Sequence, residues 1–291
     1  MRWTFWSPLA AVGALGLGMG VVGAVSGTTA VRLLRPPRGQ PWSASVGEPV
    51  AFRARDGLRI AGRFFPHAEP AAAVVICHGF WSHSYALLGG AQALHAAGYA
   101  VLLFDFRAHG LSDGRLSSIG HHETNDLLGA VDYLLTRPEV LPDRVAVLGY
   151  SMGGAVALLA AAQHPGIRAV IADSAYASLG RALRRGLQLS CRLPSFPFRI
   201  VTLRLGERLL GIQADTVTTV QAIAAIAPRP VFLIHGAVDD LIPVSDAETL
   251  FAAAGEPKQL WIVPNAGHAA AYLVATEEYG RRVLAFLRRY L

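Results

Sequence analysis

The sequence predicts an α/β architecture on a mostly parallel sheet, and three observations predict it. From about Val46 onward, short apolar or β-branched runs alternate with alanine- and leucine-rich periodic stretches, the rhythm of strand–helix units. The apolar runs are short and bounded by breakers, as strands covered on both faces are. A chain of 291 residues with 53% hydrophobic content suffices for one large core, since α/β units of about 250 residues often fold as single domains. A second catalytic domain is not expected.

In chain order, the first element is the most apolar. No residue between Arg2 and Arg32 is charged, and Leu9 to Val31 is a nearly continuous run of apolar and small residues. As a helix it spans about 35 Å, against a hydrocarbon core of roughly 30 Å. Trp3 and Trp6 stand at one end, and Arg32, Arg35 and Arg38 at the other, followed by Pro36, Pro37 and Pro41. Interfacial aromatics and flanking cations of this kind suit a single-pass membrane anchor with a linker, over residues 1–45. The few arginines leave its sidedness open. A cleaved signal peptide competes, because Ala24-Val25-Ser26 has cleavage-like spacing although Arg2 alone forms the charged leader. An ordinary core helix is the third reading. Gly16-x-x-x-Gly20 and Gly23-x-x-x-Gly27 suit close helix approach, a pattern that a glycine-rich segment also produces by chance.

Next, Val50 to Arg55 and Leu58 to Phe65, separated by Asp56-Gly57, predict an opening hairpin. Buried strands are expected at Ala73 to Cys77, Tyr99 to Phe104, Val145 to Gly149, Ala169 to Ala172, Val231 to Ile234 and Gln259 to Val263, about eight strands in all. Helices are expected at Leu87 to Ala97, Glu123 to Thr136, Gly153 to Gln163, Asp246 to Ala254 and Glu277 to Tyr290. The stretch from Ala177 to Ile226 interrupts this rhythm and reads as a helical cap whose apolar face shapes a pocket. It is strongly basic, with Arg181, Arg184, Arg185, Arg192, Arg199, Arg204 and Arg208 set against Glu207 and interleaved with Leu, Phe and Ile. A solvated cap surface is the plain reading; a basic amphipathic face leaning on anionic lipid is the sharper one. The chain thus divides into an N-terminal segment (1–45), a first core part (46–176), the cap (177–226) and a second core part (227–291).

Bulk chemistry narrows the function. The net charge is +6, and Lys258 is the one lysine among the basic residues. Without zinc-finger cysteines, an RNA-binding aromatic signature or a long basic run, no nucleic-acid partner is expected. Cys77 and Cys191 lie far apart without CxxC spacing, so neither a disulfide framework nor a thiolate metal site is implied.

Gly149-Tyr150-Ser151-Met152-Gly153 follows an expected strand and precedes an expected helix. A serine on such a tight turn projects its hydroxyl off the sheet, and flanking glycines make room for it. The helix that begins there aims its free N–H groups at negative charge developing near Ser151. A lone hydroxyl is a weak nucleophile and needs a base with a third group to hold it. His268 follows the last expected strand in Pro264-Asn265-Ala266-Gly267-His268, at the sheet edge where ligand sites of parallel sheets gather. Asp239 and Asp240 both follow the preceding strand; spacing prefers Asp239 and by itself separates them by one residue only. Backbone donors for an oxyanion are expected at Met152 and, in the loop His78-Gly79-Phe80-Trp81, at Phe80. Trp81 and Tyr176 are the candidate substrate contacts, with plain core packing as the alternative for Phe80 and Trp81. His121-His122-Glu123 reads as a helix start rather than a metal site.

From Phe52 to Leu287 these residues resemble the alpha/beta hydrolases, within them a bacterial group similar to serine aminopeptidases and monoacylglycerol lipase-like proteins. The resemblance rests on His78-Gly79, the run Asp105 to Ser112, Gly149 to Gly154, Asp173-Ser174, His235 to Asp239 with Pro243, and Gly267-His268. It implies the alpha/beta hydrolase fold, Asp239 as the acid, and Asp105 and His109 as parts of a structural loop beside the site. It also implies ester hydrolysis through an acyl-enzyme, with a peptidase as a variant of the same mechanism, and no cofactor. Ala108 departs from the family pattern, where glycine is common; a slightly altered loop is expected there. A hydrolase-fold protein acting only as a binding module is the alternative of another class.

Overall fold

The computed structural model describes residues 8–36, 46–190 and 194–291. Trp3, Trp6, Pro37, Arg38, Pro41, Cys191 and Arg192 lie outside them, as do the side chains of residues 8–18.

An eight-stranded sheet forms the centre, in the order β1-β2-β4-β3-β5-β6-β7-β8. The opening hairpin joins β1 (Glu48–Arg53) to β2 (Arg59–Phe65), antiparallel in the register Arg53 opposite Arg59, and β2 pairs antiparallel with β4 (Ala100–Phe104). All other pairings, through β3 (Ala71–Cys77), β5 (Val140–Tyr150), β6 (Ile167–Asp173), β7 (Val231–Gly236) and β8 (Lys258–Val263), are parallel. Alternation across the pleat fills two cores at once. In β3, Val75 and Cys77 face one layer while Val74 and Ile76 face the other. Every residue of β4 is buried, which is why the sequence there is an unbroken apolar run. The predicted strands are all present; β5 begins earlier than its apolar run because Val140 pairs with Ala71 across a bulge.

On one face lie α3 (Glu123–Leu134), α4 (Met152–Gln163) and α8 (Val244–Ala253); on the other lie α2 (Leu88–Ala96) and, after the one-turn α9 (Ala271–Val274), α10 (Thr276–Tyr290). The expected helices match these within a few residues. Helix α4 is apolar all round and buried along most of its length, the pattern of a helix enclosed on every side.

Between β6 and β7 the chain runs through α5 (Leu179–Ser190), α6 (Ile200–Leu210) and α7 (Thr219–Ala224). The base of this excursion is closed where Ser178 bridges Thr218 and the Leu179 N–H donates to the Val217 carbonyl at 3.1 Å. Helix α7 returns to the core and packs on α4 and α8.

The N-terminal helix, α1, runs from Pro8 to Leu34. No helix among the described residues is long and apolar enough to cross a membrane. The last turns of α1 dock on the excursion: Ser26, Ala30 and Leu34, one helical turn apart, are buried. A Cβ on Gly27 would stand 3.8 Å from Leu205, and one on Gly206 would stand 3.6 Å from Leu34. The small residue Gly27 therefore faces α6 of the same chain.

Candidate active site

The site is assembled at the C-terminal ends of β3, β5, β7 and β8. Ser151 stands between β5 and α4 with φ +53°, a left-handed conformation that L-residues rarely adopt. The neighbouring glycines make this turn possible. A Cβ on Gly149 would press on the backbone of Gly153, and one on Gly153 on the carbonyls of Cys77 and His78. The Ser151 N–H donates to the Asp173 carbonyl at 2.7 Å. Trp81, Ala108, Ile119, Ser174, Asn265 and Ala269 are likewise left-handed, and such strain persists only where surrounding contacts overdetermine it.

His268, in the loop after β8, places Nε2 2.7 Å from Ser151 Oγ and Nδ1 2.7 Å from Asp239 Oδ2. Its side chain is about one-quarter exposed, whereas the Asp239 side chain is fully buried. The Asp239 carboxylate also accepts the Leu241 and Ile242 N–H groups on Oδ1, at 2.9 and 2.8 Å. Three donors thus fix it, and the imidazole N–H it accepts fixes the tautomer of His268. Asp240 points its side chain to solvent, and its carbonyl accepts Arg185 Nε at 2.8 Å. The structure therefore brings Ser151, His268 and Asp239 together, and leaves Asp240 out.

Met152 opens α4, where the first-turn N–H groups have no intrahelical acceptor. The loop carrying Phe80 lies directly over the serine, since a Cβ on Gly79 would touch Ser151 Cβ at 3.4 Å. That loop is held by His78, a residue whose role the sequence does not announce. Buried, it donates from Nδ1 to the Gly79 carbonyl at 2.7 Å and accepts the Phe106 N–H on Nε2 at 3.0 Å. Burial, and then the neighbouring His109 ring, push its pKa down to about 3.

Asp105 braces the same region. Its carboxylate accepts the Ser84 N–H and hydroxyl on Oδ1 at 2.9 and 2.5 Å, and the Leu111 N–H on Oδ2 at 2.9 Å. Arg107 makes a multiply hydrogen-bonded pair with buried Asp126 of α3, as short as 2.6 Å. Ala108, at the position where glycine was the pattern, keeps a left-handed φ of +63° while buried. Glu123 is buried at the start of α3 and gathers Ser117, Ser118 and Gly120 around its carboxylate. Among the described residues no group of three or more His, Cys, Asp or Glu is arranged to hold a metal ion.

Two apolar cavities meet at Ser151 and Phe80. One, of about 400 Å³, runs between α2 and α10 and is lined by His268, Tyr272, Leu94 and Leu284. The other, of about 310 Å³, lies under α1, α5 and α6 and is lined by Met152, Trp81, Tyr176, Leu183 and Leu187. Trp81 and Tyr176 thus both face a cavity, the latter with its hydroxyl donating to the Ile119 carbonyl at 2.8 Å.

Three arginines of the excursion are paired with acids. Arg184 meets Asp215 at 2.8 Å, an acid absent from the sequence-based account of this segment, Arg204 meets Glu207 at 3.1 Å, and Arg181 meets Asp246 at 3.3 Å.

Residues 68–196 match the family model described as Serine aminopeptidase, S33. Uncharacterized protein Rv2307c of Mycobacterium tuberculosis is 34% identical over 256 residues, covering 86% of this chain and 82% of that protein. Uncharacterized protein YfhR of Escherichia coli K12 is 32% identical, covering 80% of this chain and 76% of that protein. Among solved structures, Pyrococcus furiosus esterase Pf2001 superposes with a TM-score of 0.75 at 27% identity, covering 89% of this chain and 98% of that one.

Proposed function

The chain belongs to the alpha/beta hydrolase family, and from that premise we propose that it is a serine hydrolase of carboxylic esters with lipophilic groups. The observation that carries this reading is the continuous hydrogen-bonded line Asp239–His268–Ser151 at the mouth of two apolar cavities. Ser151 Oγ attacks the ester carbonyl while His268 Nε2 takes its proton, and Asp239 stabilises the imidazolium. The N–H groups of Met152 and Phe80 hold the oxyanion. Collapse expels the alcohol, protonated by His268, and leaves the acyl group on Ser151; a water activated by the same imidazole then releases the acid.

The structural similarity to an esterase supports ester chemistry, whereas the family description raises a second reading, an aminopeptidase. Recognition of a free α-ammonium calls for a carboxylate beside the scissile bond; no Asp or Glu lines the cavity shared by Ser151 and His268, and Glu207, which lines the other, already accepts hydrogen bonds from Arg204 and the Ala214 N–H. A fluorophosphonate probe tests the nucleophile: labelling that persists in Ser151→Ala removes it. p-Nitrophenyl esters assayed beside aminoacyl amides then divide the two chemistries, and faster amide cleavage would favour the peptidase.

The helical excursion is the proposed cap. The N-terminal segment is proposed as a membrane tether, on its uncharged run up to Arg32 and on the exposed apolar side chains of Leu189, Phe196, Ile200 and Leu209 in the neighbouring excursion. Flotation with liposomes of rising anionic lipid content checks it; full-length protein that stays unbound at every composition would count against the tether.

A further inference from the structure

We propose that the last turns of α1 form the wall that sets which acyl chain lengths the enzyme accepts; this rests on the esterase reading above. The two cavities at Ser151 are not equivalent. The leaving alcohol must take its proton from His268 Nε2, and His268 lines the cavity between α2 and α10 but not the one under α1. The alcohol therefore departs on the α10 side, and the acyl group, held at Ser151 beside Met152, extends into the other cavity.

That acyl cavity is closed by Ala30, Leu33 and Leu34 of α1, opposite Leu183 of α5 and Leu203 of α6. The helix is fastened there at three points. Ser26 Oγ donates to the Phe198 carbonyl at 3.3 Å, Trp81 Nε1 to the Leu33 carbonyl at 3.1 Å, and the Ser117 N–H to the Leu34 carbonyl at 2.8 Å. Trp81 is adjacent in sequence to Phe80, so the loop over the nucleophile is tied directly to α1. Ala30 and Leu34 are 2% and 6% exposed, which places them in the wall as packed surface.

Ala30 is the small residue of this wall, so a larger side chain there shortens the cavity, and trimming Leu33 lengthens it. Hydrolysis of p-nitrophenyl esters from acetate to dodecanoate tests this, read as the ratio of kcat/KM for dodecanoate to butyrate. Ala30→Leu should lower that ratio by about tenfold, since each methylene in an apolar pocket is worth that order of discrimination. Leu33→Ala should raise it, and a variant that merely folds poorly cannot move the ratio in both directions. A parallel series of acetates of longer alcohols should keep its wild-type profile in both variants. Unchanged acyl profiles, or a shift confined to the alcohol series, would overturn the wall assignment while wild-type labelling at Ser151 leaves the hydrolase reading standing. Wild-type protein that fails to label at Ser151 would bring down both.

Discussion

His268 makes one hydrogen bond to the serine and one to a carboxylate, so removing the carboxylate charge isolates its contribution. Asp239→Asn should lower kcat by roughly 10⁴-fold, because the amide can favour the wrong imidazole tautomer. Asp240→Asn should change it by less than about twofold, as its side chain lies in solvent. Steady-state kinetics on one activated ester checks both. At Ala108, the left-handed φ of +63° costs about 1–2 kcal/mol for a residue with a Cβ, partly offset by the smaller entropy of the unfolded alanine chain. Ala108→Gly should therefore raise stability by about 0.5–1 kcal/mol, measured by urea denaturation. Ser151 and His268 were legible in the sequence because each sits in a short loop with a fixed place in the strand order. The choice between Asp239 and Asp240 needed the resemblance or the coordinates, since adjacent residues differ only in which way the turn directs them. His78 was legible as part of a His-Gly pair, but its brace on Phe106 joins loops 28 residues apart and leaves no local signature.

Among the elements, the loop from Asp105 to Ser112 is fixed to α3 through the pair Arg107–Asp126, with Asp56 on the guanidinium at 2.8 Å. Asp126→Asn strips the buried partner and leaves the half-exposed Asp56 as the remaining acid on the guanidinium, which should cost up to about 3 kcal/mol. The change should appear as a lower denaturation midpoint. Helices and strands of the core were legible almost to their ends, because short apolar runs bounded by breakers alternate with longer alanine- and leucine-rich stretches. The docking of α1 was not. Its segment is apolar on every side, so no polar face marks out the stripe Ser26, Ala30 and Leu34 that becomes buried, and the same composition reads equally as an anchor. Likewise β5 extends beyond its apolar run because pairing to Ala71, rather than hydrophobicity, defines its start.

Over the whole molecule, burial lowers the pKa of His78, to about 3, and also that of His109. In the unfolded chain both titrate near 6.5. As pH falls from about 6.5 towards 3, the unfolded chain binds protons that the native protein refuses, so stability declines across that window and is unaffected by these groups above it. Thermal melts should show Tm falling on acidification, and His78→Gln should make that slope shallower. The mostly parallel sheet with flanking helices and the order of nucleophile, acid and base were readable because both run along the chain; the sheet order, with β4 between β2 and β3, was not. The two cavities were not, because each is bounded by segments remote in sequence, Ala30 with Leu203 in one and Leu94 with Leu284 in the other.

The pairing of Ser151 and Phe80 at the junction of those two chambers has a kinetic corollary in the proposed mechanism. Once the first product has gone, one chamber still holds the bound acid residue while the other stands vacant beside His268. Any small hydroxyl compound that fits the vacancy then competes with water for the same imidazole. Added 1-butanol should accordingly divert turnover from free acid to butyl ester, and the partition should follow the size and greasiness of the added alcohol, not the length of the acid already in place.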